Sequence, residues 1–119
     1  MNVERADVNT LVATYRAAAV SHGIATANGD YRSANRHHDM IAGIYRELRR
    51  RGDEARKDLL PLLNDMNPHV RAWAAAHALE FAPDHGEPVL RRLASAGGIV
   101  GLNAEMTLNE WSNGSLKFP

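Results

Sequence analysis

Apolar residues recur every three or four positions along almost the whole chain, and no stretch alternates apolar and polar residues. A spacing of three and four places side chains on one face of an α-helix, whereas strands need a spacing of two. The pattern therefore predicts an all-α protein of five to six helices, which short linkers make antiparallel neighbours. The predicted helices cover about 7–27, 30–52, a short stretch after 53, 68–82, 84–96 and 102–113.

Residues that favour helix starts stand where these segments begin. Asp7, Asp30 and Asn67 can accept hydrogen bonds from the free amides of a first helical turn, and a proline follows Asn67 at a position that suits it. We expect Asp53 to cap the third helix in the same way. Pro61 falls within that helix, where proline costs about 3 kcal/mol, so we expect either a kink or a later start.

Glycines predict where helices end or weaken. Gly23 is expected to end or weaken the first helix, and the pair Asn28-Gly29 closes that segment. Gly52 ends the second helix, Gly97-Gly98 breaks the fifth, and Gly114 stops the sixth. The linkers that result are short, which leaves no room for a second domain.

The fourth predicted helix is apolar on nearly every side. Only Arg71, His77 and Glu80 interrupt it, and a helix without a polar face is buried. This segment is therefore predicted to be the central element. We expect Trp73, on this helix, and Trp111, in the last turn of the final helix, to be core residues, although large aromatics can also anchor an interface.

A weak internal repeat appears at an offset of 30 residues. Leu60 then meets Leu90, Leu63 meets Leu93, and Ala74 meets Ala104. The fourth helix overlays the sixth, so helices three and four form one hairpin and five and six form another. Helices one and two form a third hairpin, and each is expected to bury a face on its neighbour, as in solenoid proteins.

Residues 62–75, LLNDMNPHVRAWAA, resemble a HEAT-type repeat. In such repeats leucines end the first helix, an aspartate and a proline form the turn, and Val-Arg with small residues opens the second. The resemblance implies a HEAT-like α-α superhelix in which Asp65 and Arg71 pair near the turn. The second hairpin departs from the pattern, because it has Gly97-Gly98 and lacks the Val-Arg pair, so it is HEAT-like at best.

A wider pattern covers about residues 30–116. It consists of YRELRRRG at 45–52, VRAWAA at 70–75, and AEMTL at 104–108 followed by Trp111 and Gly114. This pattern resembles a small family of stand-alone bacterial helical proteins that is catalogued as a domain of unknown function. The resemblance supports a helical fold and implies no activity, substrate or catalytic residue.

Composition narrows the class of protein. The 119 residues carry 14 basic and 14 acidic side chains and no cysteine, so disulfides and thiolate metal sites are excluded. No apolar run approaches the roughly 20 residues of a membrane span. The start of the chain lacks the basic and apolar segments of a secretory signal. We expect a single cytoplasmic domain over residues 1–119.

Candidate catalytic chemistry is sparse. Six histidines invite a metal hypothesis, but His37 and His38 are adjacent and diverge by about 100° on a helix. His77 and Glu80 have a spacing of three, yet no second copy supplies the other ligands of a di-iron site. No serine lies in a Gly-x-Ser-x-Gly elbow. We therefore expect no catalytic residue, metal site or cofactor, and His77 is predicted to be a partly buried, hydrogen-bonded histidine.

Charge is distributed unevenly although the total is zero. Residues 32–57 hold eight basic and four acidic residues, and 58–119 hold four basic and seven acidic residues. A candidate partner-binding patch lies near the end of the second helix and comprises Arg46, Arg49, Arg50, Arg51 and Arg56. The alternative is a solvated helix end in which Glu47 pairs with Arg50 and Arg51, and this alternative is favoured.

The function predicted from these observations is non-enzymatic protein–protein interaction, because stacked helical hairpins offer a groove without chemistry of their own. The second hypothesis is nucleic-acid binding through the basic patch at the end of helix two, which would weaken steeply with salt. A ligand site around His77 and Trp73 is the third. The outer face of the last hairpin could also self-associate into a homodimer, and no membrane partner is expected.

Overall fold

Six α-helices and one 3₁₀ helix make up the regular structure of the computed structural model, which describes residues 1–119 and contains no strand. The all-α class predicted from the spacing of apolar residues is confirmed. No helix has both the length and the apolar character needed to cross a membrane. The helices are α1 (Val8–Ala27), α2 (Tyr31–Arg51), α3 (Asp53–Lys57), the 3₁₀ helix (Leu60–Asn64), α4 (Pro68–Phe81), α5 (Pro83–Ala96) and α6 (Gly98–Ser112).

Three of the predicted helix starts are confirmed by hydrogen bonds. The Asp7 carboxylate accepts from the Thr10 amide at 2.7 Å, and the Asp30 carboxylate accepts from the Ser33 amide at 3.1 Å. The Asn67 side chain accepts from the His69 amide at 2.8 Å. Each bond satisfies an amide that has no partner inside its own helix, which fixes where the helix begins.

The predicted third helix is divided into two short pieces. Asp53 does not cap it as expected: Gly52 holds the N-cap position at a φ of 113°, and Asp53 is the first helical residue, bonded to the side chain of Arg56. The α3 helix ends at Lys57, and Pro61 lies in the 3₁₀ helix. Proline lacks an amide hydrogen and its ring crowds the preceding turn, so a continuous helix through Pro61 would cost about 3 kcal/mol, and the chain breaks there instead.

Two other helix features differ from the predictions. Gly23 does not end α1 but lies buried inside it, because packing outweighs the roughly 1 kcal/mol that glycine costs a helix. The α6 helix begins at Gly98 and not near residue 102. Gly97 and Gly98 both have positive φ, so the turn is completed within two residues. Pro88 lies inside α5, within the helix that the pattern predicts over 84–96.

The chain divides into two compact units. The first comprises Met1–Leu59 with Pro119, and in it α1 packs on α2 and α2 on α3. Its core is built from fully buried side chains of both long helices, which include Leu11, Tyr15, Ile41, Ile44, Tyr45 and Leu48. Each large apolar side chain buried in this way contributes about 1.5–3 kcal/mol.

The second unit comprises Leu60–Phe118. Its α4 helix packs against the 3₁₀ helix, α5 and α6, and α5 also packs on α6. The α5 helix also packs against the 3₁₀ helix, so α4 shares the centre of this unit with α5 and is not the single central element that the sequence predicted. Trp73 and Trp111 are each only partly buried.

Two glycines allow the helices of the second unit to approach closely. A Cβ atom at Gly86 would lie 2.6 Å from the carbonyl oxygen of Ala75 in α4, and one at Gly101 would lie 2.6 Å from the carbonyl oxygen of Leu93 in α5. Both distances are too short for any side chain, so the contacts require glycine. The α4–α5 and α5–α6 interfaces are therefore made partly by backbone.

Candidate interaction surfaces

The arginines predicted to form a binding patch have different environments in the structure. Arg46 is exposed on α2, and its side chain makes no hydrogen bond or ion pair. Arg49 is half-buried, donates a hydrogen bond to the carbonyl oxygen of Pro119, and lies with its guanidinium carbon 5.6 Å from the centre of the Tyr45 ring. Of these two side chains, only that of Arg46 is directed wholly to solvent.

Arg50 and Arg51 bind the same carboxylate. Glu47 is 5% exposed, and it accepts from Arg50 Nε at 3.0 Å and Nη2 at 2.6 Å and from Arg51 Nε at 2.7 Å. The hydrogen bonds from Arg50 and then Arg51 lower the pKa of Glu47 to about 2. The predicted pairing within α2 is confirmed, although the carboxylate lies in a buried site and not on a solvated helix end.

Arg51 also binds the start of the chain. Its Nη2 atom donates to the carbonyl oxygens of Val3 at 3.0 Å and Glu4 at 3.2 Å, so one guanidinium joins α2 to the segment before α1. Arg56 is bonded to the side chains of Asp53 and Tyr45 and is mostly buried. Arg49, Arg51 and Arg56 are therefore turned toward the protein, and their guanidinium groups are engaged within it.

A different set of arginines shares the outward face of α2. We call Arg32, Arg36, Arg46 and Arg50 the α2 arginine row. Their positions in the sequence differ by 4, 10 and 4 residues, and at 100° per residue all four lie within about 40° of one line along the helix. Sequence reasoning missed Arg32 and Arg36 as members, because it followed the density of arginines along the chain and not their helical spacing.

Three large apolar side chains are exposed together on α6. Ile99 is 70% exposed, Leu102 56% and Met106 52%. Their spacing of three and four residues places them on one face of the helix, opposite the buried Ala104 and Leu108. We call the three residues the α6 apolar row. The sequence pattern did carry this signal, because α6 is apolar on both faces, but the outward residues were not singled out.

Acidic and amide side chains surround the α6 apolar row. Glu105 and Glu110 are exposed on the same helix, along with several asparagines, and α6 contains no basic residue. The second unit as a whole holds four basic and six acidic residues. The row therefore lies in a region of negative charge.

Three histidines, which are potential metal ligands, lie close to another aromatic ring. His77 is 4% exposed, and its ring centre lies 5.8 Å from that of Trp73 in the same helix. The rings of His22 and His38 are 6.4 Å apart. Nowhere do three potential ligands among histidine, aspartate and glutamate come together as a metal would require.

An open depression of about 220 Å³ lies beside the turn between α1 and α2. Its lining includes Ile24, Asp30, Ser33 and His37. The Asp30 carboxylate is already occupied by the Ser33 amide, to which it accepts as the cap of α2. The depression is open to solvent and therefore offers little enclosure for a small ligand.

The architecture and exposed surfaces define a small all-helical protein with one charged and one apolar helix face open to solvent. A family model described as a domain of unknown function (DUF2019) matches residues 9–111, and the chain belongs to this family. The resemblance to a helical family catalogued as a domain of unknown function is thereby confirmed. The matched residues extend through both units.

One solved structure resembles the whole chain. It is titled the crystal structure of the protein RPA1889 from Rhodopseudomonas palustris CGA009. The two share 26% sequence identity over 100% of this chain and 99% of the other, with a TM-score of 0.92. No curated protein matches the chain.

Proposed function

We propose that the chain is a non-enzymatic protein-interaction module that binds one amphipathic helix of a partner protein along the α6 apolar row. The observation that carries this proposal is the exposure of Ile99, Leu102 and Met106 on one helix face. Single exposed apolar residues are common, but a row at helical spacing is typical of a surface that binds another helix.

The geometry of α6 suits a helix as the partner. The first and last residues of the row are seven positions apart, which corresponds to about 10 Å along the helix axis and two turns. An amphipathic helix presents apolar residues over two turns with the same spacing, so the two rows can interlock. A cluster of three large apolar side chains is the size of the buried centre of a protein interface. Polar contacts around this centre would complete the interface.

The charge around the row specifies the partner further. Glu105 and Glu110 lie on the exposed side of α6, and a second copy of the chain would bring the same carboxylates to the interface. Like charges that meet across an interface disfavour association, whereas lysines or arginines would be attracted. The proposed partner therefore carries a helix whose apolar residues are flanked by basic ones, and self-association is an outcome that the test can detect.

The proposal includes a HEAT-like arrangement of the hairpins. It is supported by the repeat at an offset of 30 residues and by the turn before α4, where Arg71 Nη1 donates to the carbonyl oxygens of Asp65 at 2.8 Å and Met66 at 3.1 Å. Asp65 and Arg71, which the resemblance pairs near this turn, meet through the backbone carbonyl of Asp65, whereas the Asp65 carboxylate accepts from the Asn67 amide at 2.9 Å. We also propose a bacterial cytoplasmic protein, supported by the absence of cysteine and the abundance of arginine and alanine.

The experiment compares partner capture by three forms of the full chain. Three tagged forms are incubated with nuclease-treated lysate of the source organism: the wild type, Leu102→Glu/Met106→Glu and Ile24→Glu/Tyr31→Glu. The third form alters two exposed apolar residues of the first unit and serves as a matched control. We expect a stoichiometric protein with the wild type and the control, and its loss with the α6 variant.

Two further readouts make the result decisive. The captured protein must contain a helix with basic flanks that binds as a synthetic peptide, and cross-links must place that peptide on α6. Capture that survives Leu102→Glu/Met106→Glu would contradict the proposal. If the wild type sediments as a dimer and this variant as a monomer, the α6 apolar row binds a second copy of the chain and not a helix of another protein.

A further inference from the structure

The line of α2 along which the arginine row lies is polar, with the partly exposed Met40 to one side of it. Between the members of the α2 arginine row lie Asn35, Asp39 and Gly43, so no large apolar side chain interrupts the row. Protein–protein interfaces usually contain a dehydrated apolar centre. Contacts with the phosphates of nucleic acid, by contrast, are polar and strongly basic, and arginine is the preferred residue for them. The composition of this face therefore fits phosphate better than it fits a folded acidic protein.

The arginines of the row are available to a ligand. Arg32 and Arg46 make no hydrogen bond or ion pair within the protein. Arg36 donates only to the uncharged hydroxyl of Ser33, at 2.9 Å, and keeps its charge. Arg50 holds Glu47 but is still 65% exposed. Asp39, which is 85% exposed, is the one acidic side chain that points outward within the row.

The spacing of the row suits an extended backbone of phosphates. The two arginines of each pair are one helical turn apart, and the whole row extends about 27 Å along α2 at 1.5 Å per residue. Gly43 lies near the middle of the row and has no side chain, and a Cβ atom there would have only the Arg46 guanidinium within 4.0 Å. The helix surface is therefore lower at the middle of the row than at the arginines. Tyr31, beside Arg32, is the one exposed tyrosine near the row, and a single strand needs several rings on which successive bases stack, so the row favours a duplex.

We propose that the α2 arginine row binds the phosphate backbone of double-stranded DNA without reading its sequence. This goes beyond the function proposed for α6, because it concerns another surface, another unit and another class of ligand. Binding that neutralises up to four phosphates gives a slope of about −3 to −4 in a plot of log affinity against log salt concentration. The four arginines differ from the patch of five predicted from sequence, with which they share only Arg46 and Arg50.

The test measures fluorescence anisotropy of a labelled DNA duplex of about 20 base pairs, which is longer than the row. The full chain is titrated at several salt concentrations beginning at about 50 mM. The variant Arg32→Ala/Arg46→Ala removes two members that contact nothing within the protein, so the fold does not depend on them. The control Arg5→Ala/Arg92→Ala removes the same charge from two exposed arginines outside the row.

We expect the row variant to bind DNA roughly tenfold or more weakly at low salt and to lower the salt slope by about 2, while the control binds like the wild type. Asp39→Asn should tighten binding severalfold, because it removes the exposed carboxylate that lies between the two pairs of arginines. Wild-type protein that does not bind at low salt would overturn the proposal, as would equal losses in the row and control variants. Competition by polyglutamate as effective as that by unlabelled DNA would assign the row to an acidic protein instead.

Discussion

The outward faces of α2 and α6 differ in the free energy that their exposure to water costs the protein. The α2 arginine row is charged and hydrated, so it is stable in water without any partner. The α6 apolar row exposes more than half of each of three large apolar side chains, and each gains free energy when water is removed from it. An exposed apolar row is therefore the stronger sign of a protein partner. A charged row binds a partner only where that partner carries the opposite charge.

The interiors of the two units differ as well. In the first unit a buried carboxylate, Glu47, is neutralised by two arginines. In the second unit the close packing depends on Gly86 and Gly101, which bring helices together through backbone atoms. The first unit is therefore sensitive to changes of charge, and the second to changes of volume.

The largest effect is expected for added volume in the second unit. Gly86→Ala places a methyl group 2.6 Å from the carbonyl oxygen of Ala75, and we expect a loss of about 1–3 kcal/mol in the free energy of unfolding. The same substitution at Gly43 meets open space and favours the helix, so it should stabilise by up to about 1 kcal/mol. Urea denaturation of both variants measures the difference, and effects of the same sign would break the comparison.

The next effect concerns the two arginines that hold Glu47. Arg51 is 21% exposed and also binds the Val3 and Glu4 carbonyls, whereas Arg50 is 65% exposed. We expect Arg51→Ala to destabilise by about 1–3 kcal/mol, because it removes one charged hydrogen bond to the buried Glu47 carboxylate and two to the backbone before α1. Arg50→Ala should cost less than about 1 kcal/mol, as exposed ion pairs usually do. Denaturation curves that rank the two variants in the opposite order would refute the role given to Arg51.

The Glu47 carboxylate is expected to make the stability of the folded protein depend on pH. The pKa of Glu47 is about 2 in the folded protein against an ordinary value of 4.5, because Arg50 and Arg51 donate to its charged form. Its contribution to stability is therefore fully present above pH 4.5 and is lost as the pH falls toward 2. Melting temperatures of the wild type and Glu47→Gln should converge as the pH is lowered from 6 to 3, and parallel curves would exclude the linkage.

The smallest effects are expected on the outward faces. Neither Arg32→Ala/Arg46→Ala nor Leu102→Glu/Met106→Glu removes a contact that the fold needs, so each substitution should change the free energy of unfolding by no more than about 0.5 kcal/mol. Thermal melts check this directly. Marked destabilisation by either pair would mean that the face serves the fold and not a ligand.

The sequence predicted the helices well where local signals were strong. The capping residues Asp7, Asp30 and Asn67 act on amides within three residues, so the pattern of residues determines the helix start. The division of the third helix was only half foreseen. Pro61 indicated a break, but the position of the boundary between the two units depends on packing that a local pattern does not contain. The prediction of one domain over residues 1–119 stays a prediction.

The candidate surfaces were harder to predict because exposure is a tertiary property. Arg49, Arg51 and Arg56 stand beside exposed arginines in the sequence, yet their partners include Pro119, Val3 and Tyr45, which are distant along the chain. Helical spacing alone could have aligned Arg32 with Arg46. The inward turn of the other three arginines could not be derived from spacing.

One capture experiment without nuclease tests whether the two helix faces bind separate classes of partner. Recovered protein and recovered DNA are quantified from the wild type, Arg32→Ala/Arg46→Ala and Leu102→Glu/Met106→Glu. We expect the first variant to lose DNA and keep the protein, and the second to lose the protein and keep DNA. Loss of both classes in either variant, or of neither class in both, would contradict this expectation.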